Sequence, residues 1–323
     1  MTVATANQRV VLTGLNTNEY EHSLDKVTLD ALRSIPILPK LVELVQVPTS
    51  MARRYAMLGS DLRVTERQFP SIYKMFRQAC DVLEVPEPLF YISSAPELNA
   101  YTACPDKPII KLYTYLLDAL HEDEIMFVLG HELSHIKCRH LVYTLLGELL
   151  STGALRAIVS TIPGLSTLYT PAEISLNYAL YQWLRAAEYT CDRGGFLACQ
   201  NFEASCRALM KLAGYSKTYA NELNLDEFFA QAESFQEENE TALGMVQKIL
   251  LSFGQTHPWS VLRARELMKF RDAGDYDRIL RREMKTSEPA PAEPASSEPK
   301  AEGAKSLSAM LPKDIKFKNP FQK

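Results

Sequence analysis

The chain has 323 residues, 46% of them hydrophobic and 23% charged, with a formal net charge of -4 and a pI of about 5.9. This is the make-up of an ordinary globular protein able to bury one large core or two modest ones, and its acidic balance offers no global positive field to nucleic acid or an anionic membrane. Six cysteines without a C-x-x-C pair, behind an N-terminus (MTVATANQRV) that has no basic flank or apolar run, lead to the expectation of a reducing, cytoplasmic setting with unpaired thiols.

In chain order, residues 1–18 read as a short N-terminal arm and 19–285 as one folded body. Within the body, Tyr73, Phe76, Cys80 and Leu83 recur at near-helical spacing, which predicts an amphipathic helix with a core-facing stripe. Pro88 to Ser93 and Lys107 to Thr114 are rich in β-branched and aromatic residues and are separated by Pro, Asn and Asp, so they read as short strands. Asp123 to His140 opens with acidic residues and closes with basic ones, the order a helix dipole favours. The expected fold class is therefore α+β, predominantly helical, with a small sheet beside that helix.

From Leu141 to Leu184 the only charged residues are Glu148, Arg156 and Glu173, and Ile162-Pro163-Gly164 interrupts the stretch. Its first half is long enough to span a bilayer, but Glu148 and Arg156 would each cost about 2.5–3.5 kcal/mol at the membrane centre. Buried core or a membrane-surface hairpin is thus favoured over a spanning pair. Residues 286–303 are mostly Pro, Ala, Ser and Glu with no large apolar side chain, a composition that predicts a disordered linker. Residues 304–323 regain Leu, Met, Ile and Phe among lysines and form a short basic-apolar tail, a second candidate for peripheral membrane contact. Neither repeats nor an indication of oligomeric state can be read from the sequence.

The chemistry concentrates in His131-Glu132-Leu133-Ser134-His135, an H-E-x-x-H motif. On a helix its i, i+4 spacing puts both imidazoles on one face, where they can share a zinc ion, and Glu132 sits close enough to hold a water without becoming a ligand. In RAAEYTCDRGG, Glu188 and Asp192 are i, i+4 on a further expected helix. Glu188 would complete a His₂Glu site that keeps one position for water, and Asp192 would fix the tautomer of a ligand histidine. Gly130 permits close backbone packing near the motif. Cys138 and His140, if the helix continues regularly, lie about 10 Å or more along the axis from His131 and are read as structural. The expected cofactor is one Zn2+ per chain and the expected partner a peptide or protein substrate, with no role for nucleic acid.

These residues resemble the HtpX-like zinc metallopeptidases, the gluzincin family that includes the CAAX prenyl proteases. The likeness runs from about Glu19 to Arg271 through YEHSLDKVTLDAL, LNAYTAC, the TYLLDALHEDEIMFVLGHELSHIKCRH block, RAAEYTCDRGG and THPWSVLRARELMKF. It implies a zincin-like fold and zinc endopeptidase activity of the kind used in protein quality control. It further implies that Asn99 and Ala100 lie on an edge strand that pairs with substrate, that His257 donates to the oxyanion, and that Arg263 is a supporting cation. Integral-membrane relatives carry transmembrane helices where this chain has the charge-interrupted 141–184 stretch. Two other readings stay open: a catalytically inactive binding or chaperone-like protein stapled by zinc, and a zinc amidohydrolase acting on small molecules.

Overall fold

A computed structural model describes residues 9–239 and 258–281, with the side chains of 46–51 and 236–239 excepted. These belong to a unit that runs to Glu283. The expected linker 286–303, the tail 304–323 and His257 lie outside the described residues.

Leu12 and Leu15, within the stretch expected as an arm, are buried in the main core. Helix α1 (Ser23–Arg33) is capped by His22, whose Nδ1 accepts the Leu24 N–H, and α2 (Leu38–Ser60) follows a short turn. Helix α3 (Pro70–Leu83) starts on a proline, which is preorganised for a first helical position, and turns Phe76, Cys80 and Leu83 into the core as the spacing predicts. The sheet has the order β1-β2-β4-β3, from β1 (Leu62–Arg63), β2 (Leu89–Ser93), β3 (Ala100–Ala103) and β4 (Ile109–Tyr113). Strands β2 and β4 run parallel while both outer pairings are antiparallel, so β3 is an edge.

After α4 (Thr114–Ala119) comes the motif helix α5 (Glu122–Lys137). Glu122, Asp123 and Glu124 occupy its first turn, and Glu124 closes a capping box by accepting the His121 N–H at 2.8 Å. The Glu124 carboxylate is buried and takes the Lys211 ammonium at 2.7 Å, which anchors this end of the helix.

The other end of α5 departs from expectation. The helix stops at Lys137, not His140, because Arg139 enters the left-handed region at φ 60°. The His140 N–H bonds the His135 carbonyl at 2.9 Å and the Arg139 N–H bonds that of Ile136 at 3.1 Å. This is the Schellman pair of bonds, usually built on glycine, and it reverses the chain.

The low-charge stretch becomes α6 (Leu141–Ser151), α7 (Ala154–Ser160) and the first half of α8 (Leu165–Cys199), with breaks at Gly153 and Gly164, both at positive φ. Leu146, Leu155, Leu176, Leu180 and Trp183 form a second core with Leu32 and Leu41 from the α1–α2 region. Among the described residues no single helix is long and apolar enough to cross a membrane, and α6 and α7 meet at 88°. Leu168, Ile174 and Tyr178 on α8 remain exposed, Ile174 at 81%. The remaining α-helices among the described residues are α9 (Phe202–Ala213), α10 (Leu225–Asn239), α11 (Ser260–Asp272) and α12 (Asp275–Leu280). The molecule is thus predominantly helical, with one small mixed sheet whose edge strand lies beside α5.

Candidate metal centre

The site depends on how closely α5 approaches α8. A Cβ placed on Gly195 would lie 2.6 Å from the Phe127 carbonyl oxygen, and one on Gly130 would lie 3.0 Å from Gly195 Cα. Only glycines permit this contact, and it brings the second half of α8 against the motif face of α5.

His131 Nε2 and His135 Nε2 then lie 3.3 Å apart. Glu188 reaches from α8 to both, with Oε2 3.5 Å from His131 Nε2 and Oε1 3.4 Å from His135 Nε2. Tetrahedral coordination at about 2.0–2.2 Å separates donor atoms by about 3.3–3.6 Å, and the two imidazole nitrogens and the Glu188 carboxylate, which turns a different oxygen to each, stand close to that spacing. The site residues therefore fit the metal that the sequence pattern implies.

The surroundings supply charge and orientation. Asp192, one turn after Glu188, accepts from His131 Nδ1 at 3.0 Å. Arg263 on α11 donates to both Asp192 oxygens, at 2.6 and 2.8 Å. Burial would raise the Asp192 carboxyl, but the Arg263 charge and hydrogen bonds and those of His131 outweigh it and hold the group below the usual carboxylate range. Burial pushes the His135 imidazole down, against the opposing hydrogen bond and charge of Glu188.

Glu132 lies on the same helix beside the triad, and Thr102 of β3 donates to its Oε2 at 2.6 Å. Sequence reasoning missed Thr102. The signal was present, since Ala100 and Thr102 share one face of a strand and an edge residue facing the motif implies its i+2 neighbour does too. Asn99 Oδ1 accepts the Ala100 N–H at 2.8 Å, and both residues border a cavity of about 210 Å³. His131, Glu132 and Glu188 open into this cavity, whose apolar wall comes from Leu116, Phe127, Val128 and Leu212. Of the expected site residues, then, His131, Glu132, His135, Glu188, Asp192, Arg263, Asn99 and Ala100 are brought together.

The family described as peptidase family M48 matches residues 66–271 of this chain. The plastoglobule-localized metallopeptidase 48, chloroplastic, of Arabidopsis thaliana is 31% identical over 271 residues, 83% of this chain and 76% of that protein. A protease HtpX homolog of Ralstonia nicotianae is 25% identical over 237 residues, covering 66% and 78% of the two chains. The crystal structure of S. mikatae Ste24p aligns with 76% of this chain and 61% of its own, under two thirds of its length, at 17% identity and a TM-score of 0.41.

Proposed function

Because this chain belongs to peptidase family M48, whose members are zinc-dependent metallopeptidases, we propose that it is a zinc endopeptidase of protein substrates, holding one zinc ion with His131, His135 and Glu188 and using Glu132 as general base. What carries this reading is the convergence of the two imidazole nitrogens, 3.3 Å apart, with the Glu188 carboxylate, whose two oxygens lie 3.5 and 3.4 Å from them, beside a carboxylate held by an edge strand.

Zinc bound there supplies Lewis acidity for the attack of water on a carbonyl. Glu132 takes the proton of that water and returns it to the leaving amine. Thr102 occupies Glu132 Oε2 and leaves Oε1 for the proton. The substrate main chain adds to the outer edge of β3, and the 210 Å³ cavity receives an apolar side chain next to the scissile bond. A larger cavity of about 460 Å³, bordered by Tyr101, Thr102, Cys104 and Leu145, lies farther along the same strand and extends the cleft. Arg263 serves this site through Asp192 and His131. His257, proposed as the oxyanion donor, lies outside the described residues.

The same reading includes a peripheral lipid contact through 141–184, supported by the exposed Leu168, Ile174 and Tyr178 and by the plastoglobule-localized relative. All six cysteines are thiols and five are buried, which supports a reducing compartment such as the cytoplasm.

Glu132→Gln is expected to keep zinc while peptide hydrolysis falls about 100- to 10,000-fold, the range for loss of a general base. Metal content and cleavage of a peptide library check this together. Undiminished cleavage removes the base assignment, and a zinc-loaded wild type that cleaves no peptide favours the zinc-stapled or amidohydrolase alternatives.

A further inference from the structure

His131 has Asp192 behind it, but among the described residues no carboxylate touches the far nitrogen of His135. Its Nδ1 lies 3.3 Å from His140 Nδ1, and His140 Nε2 lies 3.3 Å from Asp25 Oδ2. The Schellman turn at Arg139 makes this contact. That turn brings the residue after the left-handed position against the one five before it, a pair that is usually apolar and here is His140 with His135.

We propose that Asp25 and His140 form a relay that fixes the tautomer of His135 and aims its Nε2 lone pair at the metal, which makes both of them positioning residues for the zinc site. The inference rests on the zinc reading above.

The proton positions follow from donor chemistry, beginning at the far end. Trp183 Nε1 can only donate, and it lies 2.8 Å from Asp25 Oδ1. Thr190 Oγ1 takes the His22 N–H at 3.0 Å and turns its own proton to Asp25 Oδ2 at 2.7 Å. Asp25 is fully buried and is thereby an acceptor on both oxygens. His140 Nε2 must carry a proton to meet it, which leaves Nδ1 as its bare nitrogen. That bare nitrogen accepts from His135 Nδ1, and the His135 lone pair is left on Nε2, the atom that faces Glu188 and His131. Cys191 Sγ, 3.5 Å from His140 Nδ1, has its thiol held protonated by burial and is a second weak donor to the same lone pair. Both ligand histidines are thus backed by a buried aspartate, His131 directly and His135 at one remove.

Asp25→Asn tests this with little change of shape. Its carbonyl oxygen, in the place of Oδ1, still accepts from Trp183, but the NH₂ in the place of Oδ2 now faces Thr190 Oγ1 and donates to His140 Nε2, which moves the His140 proton to Nδ1 and sets it against the His135 N–H. Chelator competition on the full chain is expected to show zinc bound about 10- to 100-fold more weakly in Asp25→Asn and His140→Ala, the usual range for loss of a partner behind a ligand histidine. His140→Asn, whose side-chain oxygen can accept the His135 proton, recovers part of that loss. Nitrogen-15 spectra of the zinc-loaded wild type should show His140 neutral and protonated at Nε2, and at Nδ1 in Asp25→Asn. Wild type that binds one zinc while both variants bind it within twofold overturns the relay alone, as does His140 protonated at Nδ1 in wild type. A second equivalent of zinc on His140 and Cys191 also overturns it. Wild type that takes up no zinc ends this inference and the zinc reading together.

Discussion

Burial alone would push the His131 imidazole towards neutrality, yet the charge of Glu188 and the hydrogen bond and charge of Asp192 outweigh it and hold the pKa up at about 10. Without metal the ring is therefore protonated across the neutral range, and a cation must displace that proton. Zinc affinity should rise about tenfold per pH unit from pH 6 to 8 for the one proton released, an outcome that chelator competition at several pH values checks. A flat profile would show the ring already neutral. Thr102 is the other residue with a sharp expectation. Thr102→Val keeps the shape of the strand but removes the bond to Glu132 Oε2, and hydrogen bonds to charged groups are worth about 1.5–3 kcal/mol. The kcat should fall about 10- to 100-fold with KM and zinc content nearly unchanged, as steady-state kinetics and metal analysis would report. An equal rise in KM would move Thr102 from holding the base to binding substrate.

Elements were legible where a period was clean. The stripe of Tyr73, Phe76, Cys80 and Leu83 gave α3, and the two apolar runs gave β2 and β4 within one or two residues. Strand β1 is only two residues long and exposed, so it left no pattern. The end of α5 was misread because a left-handed stop is normally signalled by glycine, and here arginine adopts it at φ 60°. The error mattered, since a regular helix would carry His140 away from His135, whereas the turn places the two rings edge to face with centroids 5.4 Å apart. Packing between elements was hinted at by Gly130 but not by Gly195. Gly195→Ala puts a methyl group 2.6 Å from the Phe127 carbonyl oxygen, and overpacking of this kind destabilises by about 1–3 kcal/mol. Urea unfolding should show that loss, and zinc should bind more weakly because Glu188 rides on the displaced helix. Unchanged stability and affinity would mean that the helices separate without disturbing the site.

At the scale of the whole molecule, His131, His135, Glu188 and Asp192 could be singled out as neighbours from spacing because two i, i+4 pairs each define a helix face. Asp25 could not, because it lies 165 residues from Thr190 and 158 from Trp183, and no local period reports on contacts made only after the chain has folded. The low-charge 141–184 stretch was ambiguous between core and surface because it is both. One face builds the second core with Trp183, and Leu168, Ile174 and Tyr178 lie outside it. The lipid contact proposed for that face predicts that the chain floats with liposomes. Replacing Leu168, Ile174 and Tyr178 by Ser should reduce flotation severalfold without altering unfolding, and a wild-type chain that stays in the dense fraction at low and high salt would remove the proposal.

Ile174 and Glu188 belong to the same helix, α8, and lie 14 residues apart with neither proline nor glycine between them. At 1.5 Å per residue this is about 21 Å of continuous hydrogen-bonded rod. If the lipid contact proposed above forms around Ile174, a tilt imposed there would meet no proline or glycine before Glu188 and would shift that carboxylate against the two imidazoles. Anchorage and catalytic competence would then be two ends of one lever.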